Sequence, residues 1–324
     1  MELFKYEKPL SLMAQAKRFG LLSIIVVITS LGLIFTKGFN MGIDFAGGTV
    51  IQVQYDQKAP IDEVREILGN QEAYKGANVT YFGTEDEIII KTKTSSQNVG
   101  VDIGDQVREL LKETQGFKEV RRVDMVGAKV GSELREQGLL AMVLAIIGIL
   151  IYVSFRFEWR FAVASVMALV HDVTIAMGMI VLFEVEVNLD ILAALLTILG
   201  YSLNDTIIVF DRIREGIRSI KDPDLGGIID ESVSRTLSRT TLTSLTTFFV
   251  VLTLFLFGGE IINGFSFTLL VGIIVGTYSS IFVASPILLW LGFSVGDFRA
   301  KEAEKLKREK EKEKMRAMYE QGTL

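Results

Sequence analysis

The sequence predicts an α-helical polytopic membrane protein with six transmembrane helices and one α+β, ferredoxin-like extracytoplasmic domain between the first and second helices. Three observations carry that prediction. Of 324 residues, 49% are hydrophobic and only 23% charged, for a mean hydropathy of +0.39. The apolar residues gather in six stretches, at 19–35, 139–155, 161–183, 189–210, 241–258 and 264–292. Each is long enough to cross a hydrocarbon core, which takes roughly 17–25 helical residues. The segment between the first two, 36–138, has ordinary soluble composition, with 13 basic and 17 acidic residues from Lys37 on.

The first stretch follows Lys17 and Arg18, but the KGFNMGIDF after it lacks the small-residue pattern of a cleavage site, so it reads as a retained helix. Orientation follows from the basic residues. Four lie in 1–18, two in 156–160, six in 211–240 and nine in 293–324, whereas the loops 184–188 and 259–263 hold only Glu184, Glu186 and Glu260. Positive charge retained inside places both termini in the cytoplasm, and an even number of spans agrees. The chain then divides into a cytoplasmic segment 1–18, the first span 19–35, the outer domain 36–138, a bundle 139–292 and a charged cytoplasmic tail 293–324.

Within the outer domain, TVIQVQY (49–55) alternates like a half-buried strand, and Pro60 opens a helix with Ile61, Val64 and Leu68 on one face. NVTYF (78–82) and EIIIKTK (87–93) form a strand pair around Gly83-Thr84; Gln106 to Glu113 is helical, and VRRVDMV (120–126) is the last strand. The order βαββαβ is that of a split ferredoxin-like unit. Gly47 and Gly48 precede the first strand without the Gly-Lys-Ser/Thr of a phosphate loop, so they read as the domain's tight turn. The domain offers no catalytic constellation and reads as a binding or gating module.

Composition removes several function classes. With no cysteine there are no disulfides, thiolate metal sites or cysteine nucleophiles, and the single histidine, His171, lies within an apolar span. The net charge of −5 gives no case for nucleic-acid binding. Nucleophile–base and metal-ligand spacings are missing, so the chain reads as neither an enzyme nor a cofactor or metal binder.

The chemistry lies in the bundle, because an ionisable group at mid-membrane costs about 2.5–3.5 kcal/mol and faces an interior path or partner. Asp172 stands twelfth in the 23-residue third span, beside His171. Neighbours on a helix point about 100° apart, so at most one aims squarely at a given pathway; His171 reads as a hydrogen-bond partner of a neighbouring helix. The fourth span carries Tyr201, Ser202, Asn204, Asp205 and Thr206, with Asp205 inward of Arg212 and Arg214. Burial and a nearby cation act in opposite directions on such a carboxylate, a balance that lets it load and release a proton.

In the fifth span, Arg239, Thr243 and Thr246 share a polar stripe. If that face meets the fourth helix, Arg239 is the partner of Asp205; otherwise it snorkels to the headgroups. Gly272 and Gly276 in the sixth span permit close helix packing, with Ser279 and Ser280 one turn later. Ile213, Ile217 and Ile220 give an amphipathic face suited to the membrane surface. The tail 299–316 reads as a solvated mixed-charge helix, its basic excess leaving contact with anionic lipid or ribosome as the alternative.

Together, GIDFAGGT (42–49), the His-Asp pair in ALVHDVTIAMG (168–178), LGYSLNDTIIVFDRIRE (199–215) and SRTTLTS (238–244) resemble the SecF branch of the SecD/SecF family, within the resistance-nodulation-division superfamily. The resemblance runs from about residue 10 to 293, and the GYSLNDT…FDRIRE string is its most specific part. It departs mildly at Leu203, where isoleucine is more familiar. The resemblance implies association in the cytoplasmic (inner) membrane with SecD, supplier of the other six helices of a pseudo-symmetric pair, and with YajC and the SecYEG channel. It implies use of the proton gradient, with no other cofactor, to draw unfolded secretory polypeptide across the membrane. Asp205 and Arg239 match the family's proton-pathway positions, with Asp172 as a third; Asn204, Ser202, Thr206 and Thr243 beside them read from their polarity as supporting residues. A proton-coupled exporter of small molecules or lipids and a non-transporting channel scaffold are the competing readings.

Overall fold

The computed structural model describes residues 9–93, 103–221 and 224–320. Helix α1 (Ala16–Lys37) opens the bundle. A short α2 (Ile43–Ala46) leads to β1 (Gly48–Tyr55), α3 (Ile61–Gly69), β2 (Asn78–Phe82), β3 (Thr84–Thr92), α4 (Ile103–Leu111) and β4 (Phe117–Val126). The chain then continues as α5 (Ala128–Arg156), α6 (Trp159–Leu182), α7 (Leu189–Ser219), α8 (Leu225–Phe257), α9 (Glu260–Ser279), α10 (Ser285–Trp290) and α11 (Val295–Glu320). Among the described residues, six helical segments are long and apolar enough to cross a membrane, the last running from Glu260 to Trp290.

The outer sheet has the order β2-β3-β1-β4 with every pairing antiparallel, the ferredoxin-like arrangement. Alternation decides its faces. Ile51 pairs with Ile90 and Val53 with Ile88, and all four are fully buried against Val64 and Leu68 of α3 and Val107 and Leu111 of α4. The hydroxyl of Tyr55, 3.1 Å from Thr114 Oγ1, closes one end of this core.

Three helices extend beyond the apolar windows. α5 starts at Ala128, so 128–138 belongs to a spanning helix and not to the globular part of the outer domain. Charge ends an apolar window, but only a backbone breaker ends a helix, and 128–138 has no proline. α8 starts at Leu225, where Asp224 caps it by accepting from Gly227 N at 2.9 Å.

α7 likewise runs unbroken to Ser219, which corrects the expectation of a separate surface helix around Ile213, Ile217 and Ile220. Ile213 and Ile217 are fully buried in one cluster with Ile228, Ile229 and Val233 of α8. Two apolar stripes cover each other, leaving that face no membrane surface to cover. α1 is joined to the bundle at both levels: a Cβ on Gly20 would touch Trp290, and one on Gly178 of α6 would overlap Ser30. The segment before α1 is bound to α8, Leu10 N donating to Ser234 Oγ (2.9 Å) and Met13 N to Asp230 Oδ1 (2.8 Å).

In the last span the hydrogen-bond ladder slips into a π-turn over Ser280–Ala284, just before Pro286, which has no N–H to give. The tail is the exposed helix α11.

Candidate functional site

Asp172 on α6 has no exposed surface. Its Oδ2 accepts from Ser202 Oγ of α7 at 2.5 Å and from Ser279 Oγ of α9 at 2.7 Å, and its Oδ1 lies 2.8 Å from Nδ1 of His171. The glycines of α9 make this geometry possible. A Cβ on Gly272 would sit 2.2 Å from Ile198 Cγ1, and one on Gly276 would sit 3.0 Å from Ser202 Cβ. Gly272 and Gly276 thus bring α9 onto the 198/202 face of α7, which sets Ser202 beside Asp172.

One turn along α7 from Ser202, Asp205 is 1% exposed. It accepts from Ser244 Oγ of α8 at 3.1 Å, and the Thr277 hydroxyl of α9 faces the same carboxylate. His171 lies face to face with Tyr278, with ring centroids 6.3 Å apart. The Tyr278 hydroxyl donates to the Phe19 carbonyl (2.9 Å) and meets Ser23 Oγ of α1 (3.0 Å). Nε2 of His171 and the hydroxyls of Tyr201, Thr206 and Thr240 are buried without a hydrogen-bond partner among the described residues.

Both carboxylates are therefore held by hydroxyl dipoles, Asp172 by the His171 imidazole as well, with no lysine or arginine paired to either among the described residues. A hydrogen bond to a charged group contributes about 1.5–3 kcal/mol, and a buried charge without enough of them is costly. Gaining a proton adds an O–H donor to a carboxyl that until then only accepted, so the oxygen that takes it must find a new acceptor and any serine bonded to that oxygen must re-point.

Arg239, Thr243 and Asn204 stand outside this cluster, and His171 bonds within it. Arg239 is exposed on α8 and does not pair with Asp205. The buried stripe of α8 runs through Thr236, Thr240 and Ser244; Arg239 adjoins that stripe but is turned about 100° from Thr240. Thr243 is exposed too, its hydroxyl bonded to the Arg239 and Thr240 carbonyls. Asn204 lies on the exposed face of α7, opposite the cluster that Ser202, Asp205 and Thr206 enter. His171 bonds Asp172, its own neighbour, and not a neighbouring helix. Sequence reasoning passed over Ser244 and Tyr278; a hydroxyl at four-residue spacing within the Ser/Thr run of α8 is the signal that finds the first.

A second polar constellation joins bundle and outer domain. Gly47 and Gly48 have φ of +79° and +153°. A Cβ on Gly47 would lie 2.9 Å from the Ala128 backbone, and one on Gly48 would lie 2.3 Å from the Thr92 carbonyl oxygen, so the turn threads between β3 and the start of α5. Just before it, Asp44 Oδ2 accepts from Leu189 N at 3.0 Å, adding a carboxylate to the N-terminus of α7. Gly42 N donates to the Val187 carbonyl and Val187 N to the Asn40 carbonyl, each at 2.8 Å. Glu186 reaches the sheet at Asn78 Nδ2 (3.2 Å) and Lys91 Nζ (3.7 Å). α7 thus carries the buried carboxylate at its centre and meets the outer domain at its end.

Comparison with known proteins is decisive at this point. The description "Protein export membrane protein SecD/SecF, C-terminal" matches residues 106–294, and the SecD/SecF GG motif matches 32–59. The chain belongs to the SecD/SecF family, on its SecF side. It is 51% identical over 324 residues to the protein translocase subunit SecF of Helicobacter pylori J99, covering 100% of both chains. To SecF of Vibrio alginolyticus it is 44% identical, over 90% of this chain and 92% of that one. A crystal structure of SecDF from Thermus thermophilus, described as a translocon-associated membrane protein, matches 90% of this chain with TM-score 0.77 and 34% identity. SecDF in a super-membrane-facing form gives TM-score 0.70, again at 34% identity, over 94% of this chain. The chain spans about two fifths of those solved chains, 40% and 41%. The SecD/SecF turn is thus the joint formed by Gly47 and Gly48, and the Asp205 string lies on the helix that this joint caps.

Proposed function

We propose that this accessory subunit of the Sec protein translocase, working beside a SecD partner, uses proton entry at Asp205 and Asp172 to drive movement of its outer domain and so promote translocation of secreted polypeptide. The observation that carries the reading is the pair of buried carboxylates held by hydroxyls from α7, α8 and α9. Protonation removes a buried charge and reverses a hydrogen bond, and the helices repack to satisfy the new pattern. α7 transmits the change to the outer domain through Asp44 and the 186–188 segment. The coupling agent is the ion gradient, taken as protons, with no cofactor and no catalysed bond chemistry in the cycle.

The exposed polar residues fit the same reading. Arg239, Thr243 and Asn204 lie on the outside of this chain, with Arg239 at the cytoplasmic edge of the 241–258 apolar stretch, and an arginine facing hydrocarbon is costly. Packing of SecD helices over α7 and α8 gives them a polar interface, and places Arg239 in the proton path by way of the partner and not by a bond to Asp205. YajC and the SecYEG channel complete the assembly. Both termini and the charged tail lie in the cytoplasm and the outer domain lies across the inner membrane, as the distribution of basic residues supports.

The test is secretion in cells depleted of their own copy and supplied with wild type or Asp205→Asn, at matched membrane level and SecD association. Secretion by the variant is expected to lose its dependence on the proton gradient. Wild-type secretion by Asp205→Asn would leave the chain a scaffold.

A further inference from the structure

At the end of the bundle away from the outer domain, the 156–158 turn, the last turns of α7 and the start of α11 enclose a cavity of about 270 Å³. Five cations line it, Arg156, Arg214, Arg218, Lys301 and Lys305, against two carboxylates, Glu158 and Glu302. Arg218 pairs with Glu302, Lys301 lies 3.8 Å from Glu158 and Arg156 lies 3.7 Å from Asp211. Arg214 donates to the Arg156 carbonyl at 3.3 Å, and neither it nor Lys305 has a carboxylate partner among the described residues. The guanidinium groups of Arg156 and Arg214 lie 5.5 and 5.9 Å from the centroid of the same ring, Phe157.

We propose that this cavity binds the phosphodiester headgroup of an anionic phospholipid, whose acyl chains lie along the flank of α5. The cavity is smaller than the roughly 300–1,000 Å³ of sites for drug-sized ligands, so it takes a headgroup and leaves the rest outside. The fork of an arginine matches phosphate oxygens two at a time. At the rim Phe155 is 90% exposed and the nearby Trp159 58% exposed, the aromatic signature of a bilayer interface. Leu144, Ile147 and Ile151 continue from Phe155 along one exposed side of α5 and provide the apolar path. Basic pockets at the ends of spanning helices have the chemistry that phospholipid headgroups require. The inference stands on this cavity alone and is independent of proton coupling.

Native mass spectrometry of the purified full chain, titrated with dioleoylphosphatidylglycerol or dioleoylphosphatidylcholine, tests it. Wild type is expected to retain one phosphatidylglycerol in preference to phosphatidylcholine. Arg214→Gln with Lys305→Gln weakens that retention roughly thirtyfold, the factor expected of two juxtamembrane cations. Lys310→Gln with Lys312→Gln, farther along the exposed α11, leaves it unchanged. Equal retention of the two lipids by wild type, unchanged retention by the cavity variant, or equal weakening by the tail variant would each overturn the proposal. Inorganic phosphate held as tightly as the lipid would assign the site to free phosphate and overturn it as well. Circular dichroism of both variants establishes that they fold; if the cavity variant does not, the contrast between the two lipids on wild type decides.

Discussion

Alanine at Gly272 tests the helix seam that positions Asp172. The added Cβ would lie 2.2 Å from Ile198 Cγ1 and 2.4 Å from Cδ1, where carbon atoms prefer about 3.5–4.0 Å. Ile198 is 1% exposed, and β-branched side chains in helices hold one strongly preferred χ1 rotamer. Relief must come from an off-rotamer Ile198, at about 0.5–1.5 kcal/mol, or from α7 and α9 moving apart. Overpacked cores lose about 1–3 kcal/mol, and the better helix propensity of alanine returns up to about 1 kcal/mol. The net expectation is a destabilisation on the order of 1–2 kcal/mol. Gly148→Ala is the control, because a Cβ there meets nothing within 4 Å and only the propensity gain remains. Unfolding midpoints of the two variants and wild type, measured in one detergent by tryptophan fluorescence, should rank Gly148→Ala above wild type and Gly272→Ala below. A Gly272→Ala midpoint equal to or above that of Gly148→Ala would refute the close seam.

Ser279→Ala removes one donor from Asp172 and should cost about 1.5–3 kcal/mol where that carboxylate is ionised; in an Asp172→Asn background the loss should shrink, and a double-mutant cycle on unfolding free energies reads the difference. Asp44→Ala should weaken the N-terminus of α7 by about 0.5–2 kcal/mol, seen as faster hydrogen exchange at the Leu189 amide, with Asp44→Asn losing less. Burial holds the Tyr55 hydroxyl above the usual phenol range, with the Thr114 bond opposing in part. Its neutral, protonated form is the one the folded domain favours. The associated stability is therefore complete below the unfolded phenol value near 10 and is lost as pH rises through the folded value. Denaturant midpoints above that pH should fall less steeply in Tyr55→Phe than in wild type.

The fold was legible where one local rule decides. Six long apolar runs have no solution in water except burial or a bilayer, and the alternation of 49–55 and 87–93 left the outer strands little freedom of register. Helix ends were not legible, because the charged first turns of α5 and α8 propagate from the spans and carry no proline. Ser202, Asp205 and Thr206 enter the site because α7 presents that face inward, whereas Asn204, between them in sequence, faces out. The identity of a residue does not reveal which way its helix is rotated. The same ambiguity undid the Arg239 pairing, since a stripe through 239 and 243 and one through 240 and 244 are equally regular and only the packing of α7 on α8 selects the second.

The two polar constellations acquire a common logic from α7. Its first residues are tied to the outer domain by three kinds of contact: the Asp44 carboxylate on Leu189 N, the Val187 backbone on residues 40–42, and Glu186 on Asn78 and Lys91. The helix between Leu189 and Asp205 is about 24 Å long at 1.5 Å per residue and contains no proline, so it turns and shifts largely as a unit. Under the proposed coupling, a displacement near Asp205 or Ser202 that re-satisfies a newly protonated carboxylate would reach residues 186–189. There it would break the contacts with β2 and β3 or carry the outer domain along. Gly47 and Gly48 make the other attachment, a close-packed crossing of the turn before β1 with the backbones of β3 and α5. Under the proposed coupling, rigid transmission on one side and a glycine joint on the other would turn a helix shift into rotation of the domain.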